Sequence, residues 1–182
     1  MKDCTRKTQK SPRPAEVVGD IAKIDLGFRA KNGHIIVDKE FAWLDRYNWH
    51  LSEGGYARSK AGGTIKLIHR MIIGVPPKGY YVDHIDGDPK NNRTENLRFV
   101  TNRQNVMNQG LHKSNTSGYK GIYRRVSGNR VSWLAKINDN GKQIHGGTFS
   151  TKEDAARRYD ELAIKYFGDY ARLNFPSDII KS

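Results

Sequence analysis

Asp83 and His84 are adjacent in the sequence, Asn96 follows twelve residues after His84, and Asn105 follows nine residues after that. A strand end that delivers a carboxylate and an imidazole beside a helix that delivers an amide oxygen can hold one hard divalent ion with an open face. Hard oxygen donors with vacant positions favour Mg²⁺, which keeps some of its waters and accepts phosphate oxygens. A neutral histidine next to such an ion is placed to act as a base toward water.

These side chains need elements that present them together, and the surrounding pattern supplies candidates. Tyr80 to His84 reads as a strand, Ile85 to Arg93 as a polar loop and Asn96 to Val100 as a second strand. Thr101-Asn102-Arg103-Gln104 has the S/T-x-x-E/Q form of a capping box, so a helix should start there and carry Asn105 in its first turns. Upstream, Ile21 to Leu26 and Ile35 to Val37 flank Asn32-Gly33 as a hairpin, Asp38 is set to cap a short helix burying Phe41 and Leu44, and Trp43 and Trp49 read as core. Tyr56 to Arg58 and Thr64 to Ile73 read as a further β-rich pair that Pro76-Pro77 ends, which puts His69 on an apolar strand as a core or edge histidine outside the catalytic set.

Beyond a polar stretch at 111–116, Gly121 to Arg125, Trp133 to Ile137 and Gln143 to Phe149 read as three strands, with Asn138 to Gly141 as a hairpin turn. Ser150-Thr151-Lys152-Glu153 is a second capping-box pattern. The following Ala155, Ala156, Tyr159, Leu162, Ala163, Tyr166 and Phe167 form one apolar helix face that Gly168 terminates. A βββα module follows, its helix covering one face of the sheet. Strand alternation turns Trp133, Ala135 and Ile137 toward the helix and Lys136 and Asn138 away from it.

The 182 residues carry 32 Lys and Arg against 19 Asp and Glu, a net charge of +13, and the excess is regional. Residues 1–100 hold 18 basic and 12 acidic side chains, 101–150 hold 8 and 1, and 151–182 hold 6 of each. Nine Tyr, three Trp and six Phe are too many aromatics for a disordered basic tail, so a folded polyanion-binding protein is expected. A single Cys excludes a disulfide framework and a paired-thiolate zinc site, and no apolar run reaches the length of a membrane span. No secretory signal pattern opens the chain, and a reduced, cytoplasmic protein is expected, without a membrane partner or an evident obligate protein partner.

The segment V-D-H-I-D-G-D-P-K-N-N-R-T-E-N-L-R-F-V-T-N-R-Q-N, Val82 to Asn105, preceded by Ile68-His69-Arg70-Met71-Ile72, closely resembles the HNH endonucleases, particularly the phage and intron-encoded homing enzymes. The resemblance covers about residues 20–110. It implies a ββα-metal fold that grips one divalent ion at the scissile phosphate. His84 would be the general base, Asp83 and Asn105 metal ligands, and Asn96 the residue that holds the loop and orients His84. Many HNH proteins have a final histidine where this chain has Asn105, which argues against zinc and for Mg²⁺ or Mn²⁺.

Ser117 to Pro176 resembles a second family, the Apetala-two type DNA-binding domain of plant ethylene-response factors, through S-G-Y-K-G-I-Y-R-R, W-L-A-K-I, G-G-T-F-S-T-K-E-D-A-A-R-R-Y-D and R-L-N-F-P. That fold lays a three-stranded sheet in the major groove of double-stranded DNA. The implied DNA-facing residues are Arg125, Arg130, Lys136, Asn138, Gln143 and His145, with Arg124 beside them. The expected class is therefore α+β, in the order basic arm 1–19, nuclease domain 20–110, linker 111–117, DNA-binding domain 118–176 and tail 177–182. The implied function is a site-directed DNA endonuclease of phage or mobile-element type working in a host cytoplasm. A non-cleaving DNA-binding regulator and an RNA-associated basic protein are the alternatives.

Overall fold

The computed structural model describes residues 12–26 and 33–178. Most of the basic arm, Cys4 with it, the turn position Asn32 and the last four residues of the tail lie outside the described residues. The chain combines small sheets with short helices and divides into two compact units, residues 1–99 and 100–182.

In the first unit, β1 (Glu16–Val18), β2 (Ile21–Asp25) and β3 (His34–Asp38) form an antiparallel sheet. Glu16–Val18 thus forms a strand where the sequence suggested the end of an arm. Ala22 pairs with Val37 and Ile24 with Ile35, and period-two alternation buries all four against Leu44 and Trp49. The Trp49 indole N–H donates to the Leu44 carbonyl at 2.8 Å, so the largest buried ring leaves no polar atom unmet. Trp43, expected in the core, is instead 41% exposed under the Arg46 guanidinium. The reason is helical pitch: residues 39–46 wind as a 3₁₀ helix, where i and i+3 eclipse, so Phe41 and Leu44 share the inner side and Trp43 does not. Asp38 stands at the N-cap of this helix but makes no side-chain cap. Its carboxylate accepts from Arg93 Nε at 3.0 Å and from the Thr94 amide at 2.7 Å.

A second small sheet, β4 (His50–Leu51), β5 (Ala57–Ala61) and β6 (Thr64–Leu67), is followed by helix α1 (Ile68–Ile73). The apolar run read as continuing strand therefore turns helical at Ile68. Ile68, Met71 and Ile72 have i, i+3, i+4 spacing and all pack on the core, a solution that periodicity cannot separate from a buried strand in so short a run. Strand β7 (Tyr80–His84) then pairs with β8 (Leu97–Thr101).

The second unit opens in β8 and continues into α2 (Asn102–Asn108), whose capping box is complete: the Thr101 hydroxyl accepts from the Gln104 amide, and Gln104 Oε1 accepts from the Thr101 amide at 2.8 Å. Strands β9 (Ile122–Ser127), β10 (Arg130–Asp139) and β11 (Lys142–Phe149) form an antiparallel sheet with β10 central. The β10–β11 turn is Asn140-Gly141, both at positive φ as a two-residue hairpin requires, and Asn138 and Asp139 belong to the strand. Helix α3 (Lys152–Phe167) packs Ala155, Ala156, Tyr159, Leu162, Ala163 and Phe167 onto Ile122, Ala135 and Ile137, with Tyr166 partly buried beside them. Its N-cap is Thr151, one residue past the expected Ser150: the hydroxyl accepts from the Asp154 amide at 3.1 Å and donates to the Asp154 carboxylate at 2.6 Å. The reciprocal bond of a full capping box, from the N-cap amide to the acidic side chain, is not part of this cap; the Asp154 carboxylate meets the Thr151 hydroxyl instead.

Gly121 packs against this core with φ +72°, where a Cβ would lie 2.1 Å from the Tyr159 ring and 2.7 Å from the Lys136 carbonyl oxygen. Gly121→Ala should cost more than about 2 kcal/mol, combining overpacking with backbone strain. Denaturant unfolding followed by near-ultraviolet circular dichroism checks it; a loss under about 0.5 kcal/mol would mean that the strand yields where the packing says it cannot.

Candidate active site

Strand β7 ends on Asp83 and His84, both buried, and each is fixed by a different neighbour. Asp83 Oδ2 accepts from Arg98 Nε on β8 at 3.0 Å, an ion pair with little access to solvent. His84 Nε2 lies 3.1 Å from Asn92 Oδ1. The Asn92 amide cannot be turned the other way, because its Nδ2 already donates to the Pro89 carbonyl at 3.1 Å. The oxygen therefore faces the ring, Nε2 must carry the proton, and the imidazole lone pair resides on Nδ1. Asn92 is fully buried, so this selection is not diluted by water.

The loop between the strands is held from two directions. Asn96 locks its interior: Oδ1 accepts from the Asp86 amide at 3.0 Å, while Nδ2 donates to Asp86 Oδ1 at 2.9 Å and to the Asn91 carbonyl at 2.7 Å. Burial pushes the Asp86 carboxyl up, but hydrogen bonds from the Asp88 amide, Asn91 and Asn96 outweigh it and hold the group below its ordinary range. Strand β3 anchors the outside, with the Ile36 amide donating to Lys90 O at 2.9 Å and the Asn92 amide donating to Ile36 O at 2.7 Å. The Asp38 contacts to Arg93 and Thr94 continue that anchor. The two roles expected of Asn96 are thus divided, since Asn96 holds the loop and Asn92 touches His84.

His69, left outside the catalytic set, packs against His84. Its ring centre is 5.7 Å from that of His84 at 89°, and Tyr56 lies 5.5 Å from His69 and 5.9 Å from His84. His69 is 5% exposed, and its Nδ1 is buried without a hydrogen-bond partner, a deficit worth about 1–3 kcal/mol. Burial lowers its pKa to about 4, with smaller contributions from its electrostatic interactions with His84 and with the Arg70 guanidinium. The only sequence signal for this residue was its place in Ile68-His69-Arg70, and reading that run as strand concealed which side it faced. Asn105 lies on α2, in the second unit, four residues after the Thr101 cap. Among the described residues no group of three His, Cys, Asp or Glu side chains converges as a metal cage.

In the second unit the sheet face opposite α3 carries the expected polar set. Lys136 pairs with His145 and Asn138 with Gln143, and a register shift after Ala135 keeps these pairs outward while Gly146 passes close to Leu162. Arg125 and Tyr123 share this face with Lys136, whose ammonium lies 4.1 Å from the Tyr123 ring centre. Arg130 falls on it by alternation along β10. Arg124 does not: it pairs with Trp133, on the side of the sheet that packs on the helix.

Residues 66–107 match the family model described as HNH endonuclease. Over 93% of both chains the protein is 32% identical to a protein of Acanthamoeba polyphaga mimivirus described as an uncharacterized HNH endonuclease. It is 46% identical to Protein 3.8 of Escherichia phage T7 over 37% of this chain and 54% of that one. It is also 39% identical to the ethylene-responsive transcription factor ERN3 of Medicago truncatula, over 40% of this chain and 30% of that one. No solved structure matches the chain.

The His69 environment has a pH consequence. Between pH 6.5 and 4 the unfolded imidazole takes up a proton and the folded one does not, so acidification over that window favours unfolding. The stability that His69 withdraws should reach about 3 kcal/mol near pH 4 and vanish above pH 7. Urea unfolding of the protein and of His69→Phe at pH 7, 5.5 and 4.5 checks this, and parallel losses in the two proteins would refute it.

Proposed function

This chain belongs to the HNH endonuclease family, and from that premise we propose that it is a metal-dependent, site-directed DNA endonuclease of phage or mobile-element type. What carries the reading is the pair at the end of β7, a buried carboxylate next to an imidazole whose tautomer Asn92 fixes. In this reading His84 takes a proton at Nδ1 from the water that attacks the phosphorus, and the 3′ oxygen leaves. Asn92 holds the ring in the basic tautomer, and Asn96 keeps the loop in shape so that the ring does not swing.

Asp83 and, through the spacing of the motif, Asn105 would hold the divalent ion. One carboxylate and one amide oxygen form a sparse set of hard donors, which fits Mg²⁺ or Mn²⁺ with several waters retained and does not fit a closed zinc site. Such an ion supplies stabilisation of the charge that builds on the phosphate and the leaving oxygen.

We place the nuclease module at residues 20–110 and the DNA-binding module at 118–176, joined by 111–117. Partial likeness to the plant transcription factor supports a sheet that docks on duplex DNA. Arg125, Arg130, Lys136, Asn138, Gln143 and His145 would meet the DNA, and Arg124, on the other face, would reach at most a flanking phosphate. Lys and Arg contacts to phosphate position the protein, while Asn, Gln and Arg at base edges specify the site.

Supercoiled DNA carrying the gene's own genomic neighbourhood should be nicked or linearised with Mg²⁺ and remain intact with EDTA. His84→Ala should slow single-turnover cutting by about 10²–10⁴-fold or more. Tight, salt-sensitive binding with no cutting in Mg²⁺ or Mn²⁺ would make the protein a regulator instead, and preference for structured RNA would make it an RNA-binding protein. Arg125→Ala should weaken duplex binding by about 1–3 kcal/mol and reduce the salt slope by about one. Its cutting rate at saturating protein should be unchanged, and loss of that rate would refute the division of labour.

A further inference from the structure

His69 has no part in the mechanism above, yet its ring packs on the base from a separate element, α1. Three observations distinguish it from an ordinary core histidine. Its place is one: a phosphate positioned for His84 lies next to whatever flanks His84, and the flanking rings are His69 and Tyr56. Its incomplete bonding is another: Nδ1 is sealed from water and has no partner, so an apolar ring would fill the space without that penalty. A buried polar group retained at such a cost marks a functional position.

The third observation is its protonation. A neutral imidazole carries one N–H, and a proton on Nδ1 would be buried without an acceptor, so it belongs on Nε2. Burial keeps the ring neutral at physiological pH. It can then donate a hydrogen bond without placing a positive charge beside His84 as that ring takes its proton from water.

We infer that His69 is a second substrate-contacting imidazole of this site, a neutral Nε2–H donor to an oxygen of the phosphate that His84 serves. It donates a hydrogen bond and keeps its proton throughout. The donor gains strength as negative charge builds on the phosphate, so its effect falls on the cutting step more than on binding. The inference rests on the nuclease reading.

The test uses the full-length protein with two substitutions, His69→Phe, which keeps the ring and removes the donor, and His69→Gln, which restores an N–H. His69→Phe should raise the melting temperature and lower the single-turnover rate in Mg²⁺ by about 10–100-fold, with duplex affinity unchanged. His69→Gln should recover part of that rate. A His69→Phe protein that cuts at the wild-type rate would overturn the inference and leave the ring a packing element. A His69→Gln protein no faster than His69→Phe would overturn it as well. Nitrogen-15 NMR of the imidazoles provides a readout that does not depend on cutting. With Ca²⁺ in place of Mg²⁺, adding the duplex should shift the His69 Nε2 resonance, and an unmoved resonance would refute the contact. If the wild-type protein cuts nothing, the nuclease reading fails, and the same NMR experiment still decides whether His69 touches the nucleic acid.

Discussion

The hydrogen bond between Asn92 and His84 is the constraint around which the first unit is organised. An imidazole is a useful base only if the correct nitrogen holds the lone pair, and that choice is made by what the other nitrogen touches. Here the choice is transmitted through a chain of fixed groups. The Pro89 carbonyl orients the Asn92 amide, which sets the tautomer of His84, and the Asn92 backbone is bonded to Ile36 on β3. The three-stranded sheet therefore helps fix, through Ile36, the tautomer of a histidine 48 residues downstream.

Such a loop works only if its polar groups are satisfied, because an unmet group inside would cost more than its neighbours return. Asp86, Asp88, Asn91, Asn92 and Asn96 meet one another and the backbone, which is why five polar side chains can occupy one short turn without unfolding it. His69 departs from this completeness. Its ring centre lies 5.7 Å from that of His84, close enough for a charge on either ring to be felt by the other. Burial keeps the His69 ring neutral at physiological pH, so the cost of one unmet nitrogen comes without a second positive charge beside His84.

Much of this was legible in the sequence, and the parts that were not share a cause. The strand–loop–strand–helix order around His84 follows from alternation, turn residues and a capping box, all local signals, and the structure has each of them. The second module follows from the same kinds of signal, with Thr151 for Ser150 a slip of one residue between two hydroxyls that could each cap a helix. The polar loop is different. Asn91, Asn92 and Asn96 are chemically identical, and only the fold decides which amide meets the imidazole. His69 was misplaced because Ile68 to Ile73 is apolar enough to suit either a strand or a buried helix. Trp43 was misplaced because an indole reads as core by its type, whereas the i, i+3 spacing of Phe41 and Leu44 on this helix leaves position 43 off their shared side.

The distribution of charge differs sharply along the chain. The 101–150 segment holds 8 basic side chains against a single acidic one, Asp139, and that carboxylate is already occupied by Arg103. The outward sheet face thus presents cations and amides with no competing free carboxylate among its named residues, as a surface that must approach phosphates requires. The loop around His84 inverts that arrangement. Its carboxylates are numerous, and each is fixed by neighbours: Asp86 accepts from Asn91 and Asn96, and Asp83 is paired with Arg98. One part of the chain presents cations and amides on an open sheet face, and the other buries an imidazole and a carboxylate that are each held by a neighbouring side chain. A strongly basic protein thus holds its acidic loop by local hydrogen bonds and one ion pair, while the sheet carries much of the excess of cations.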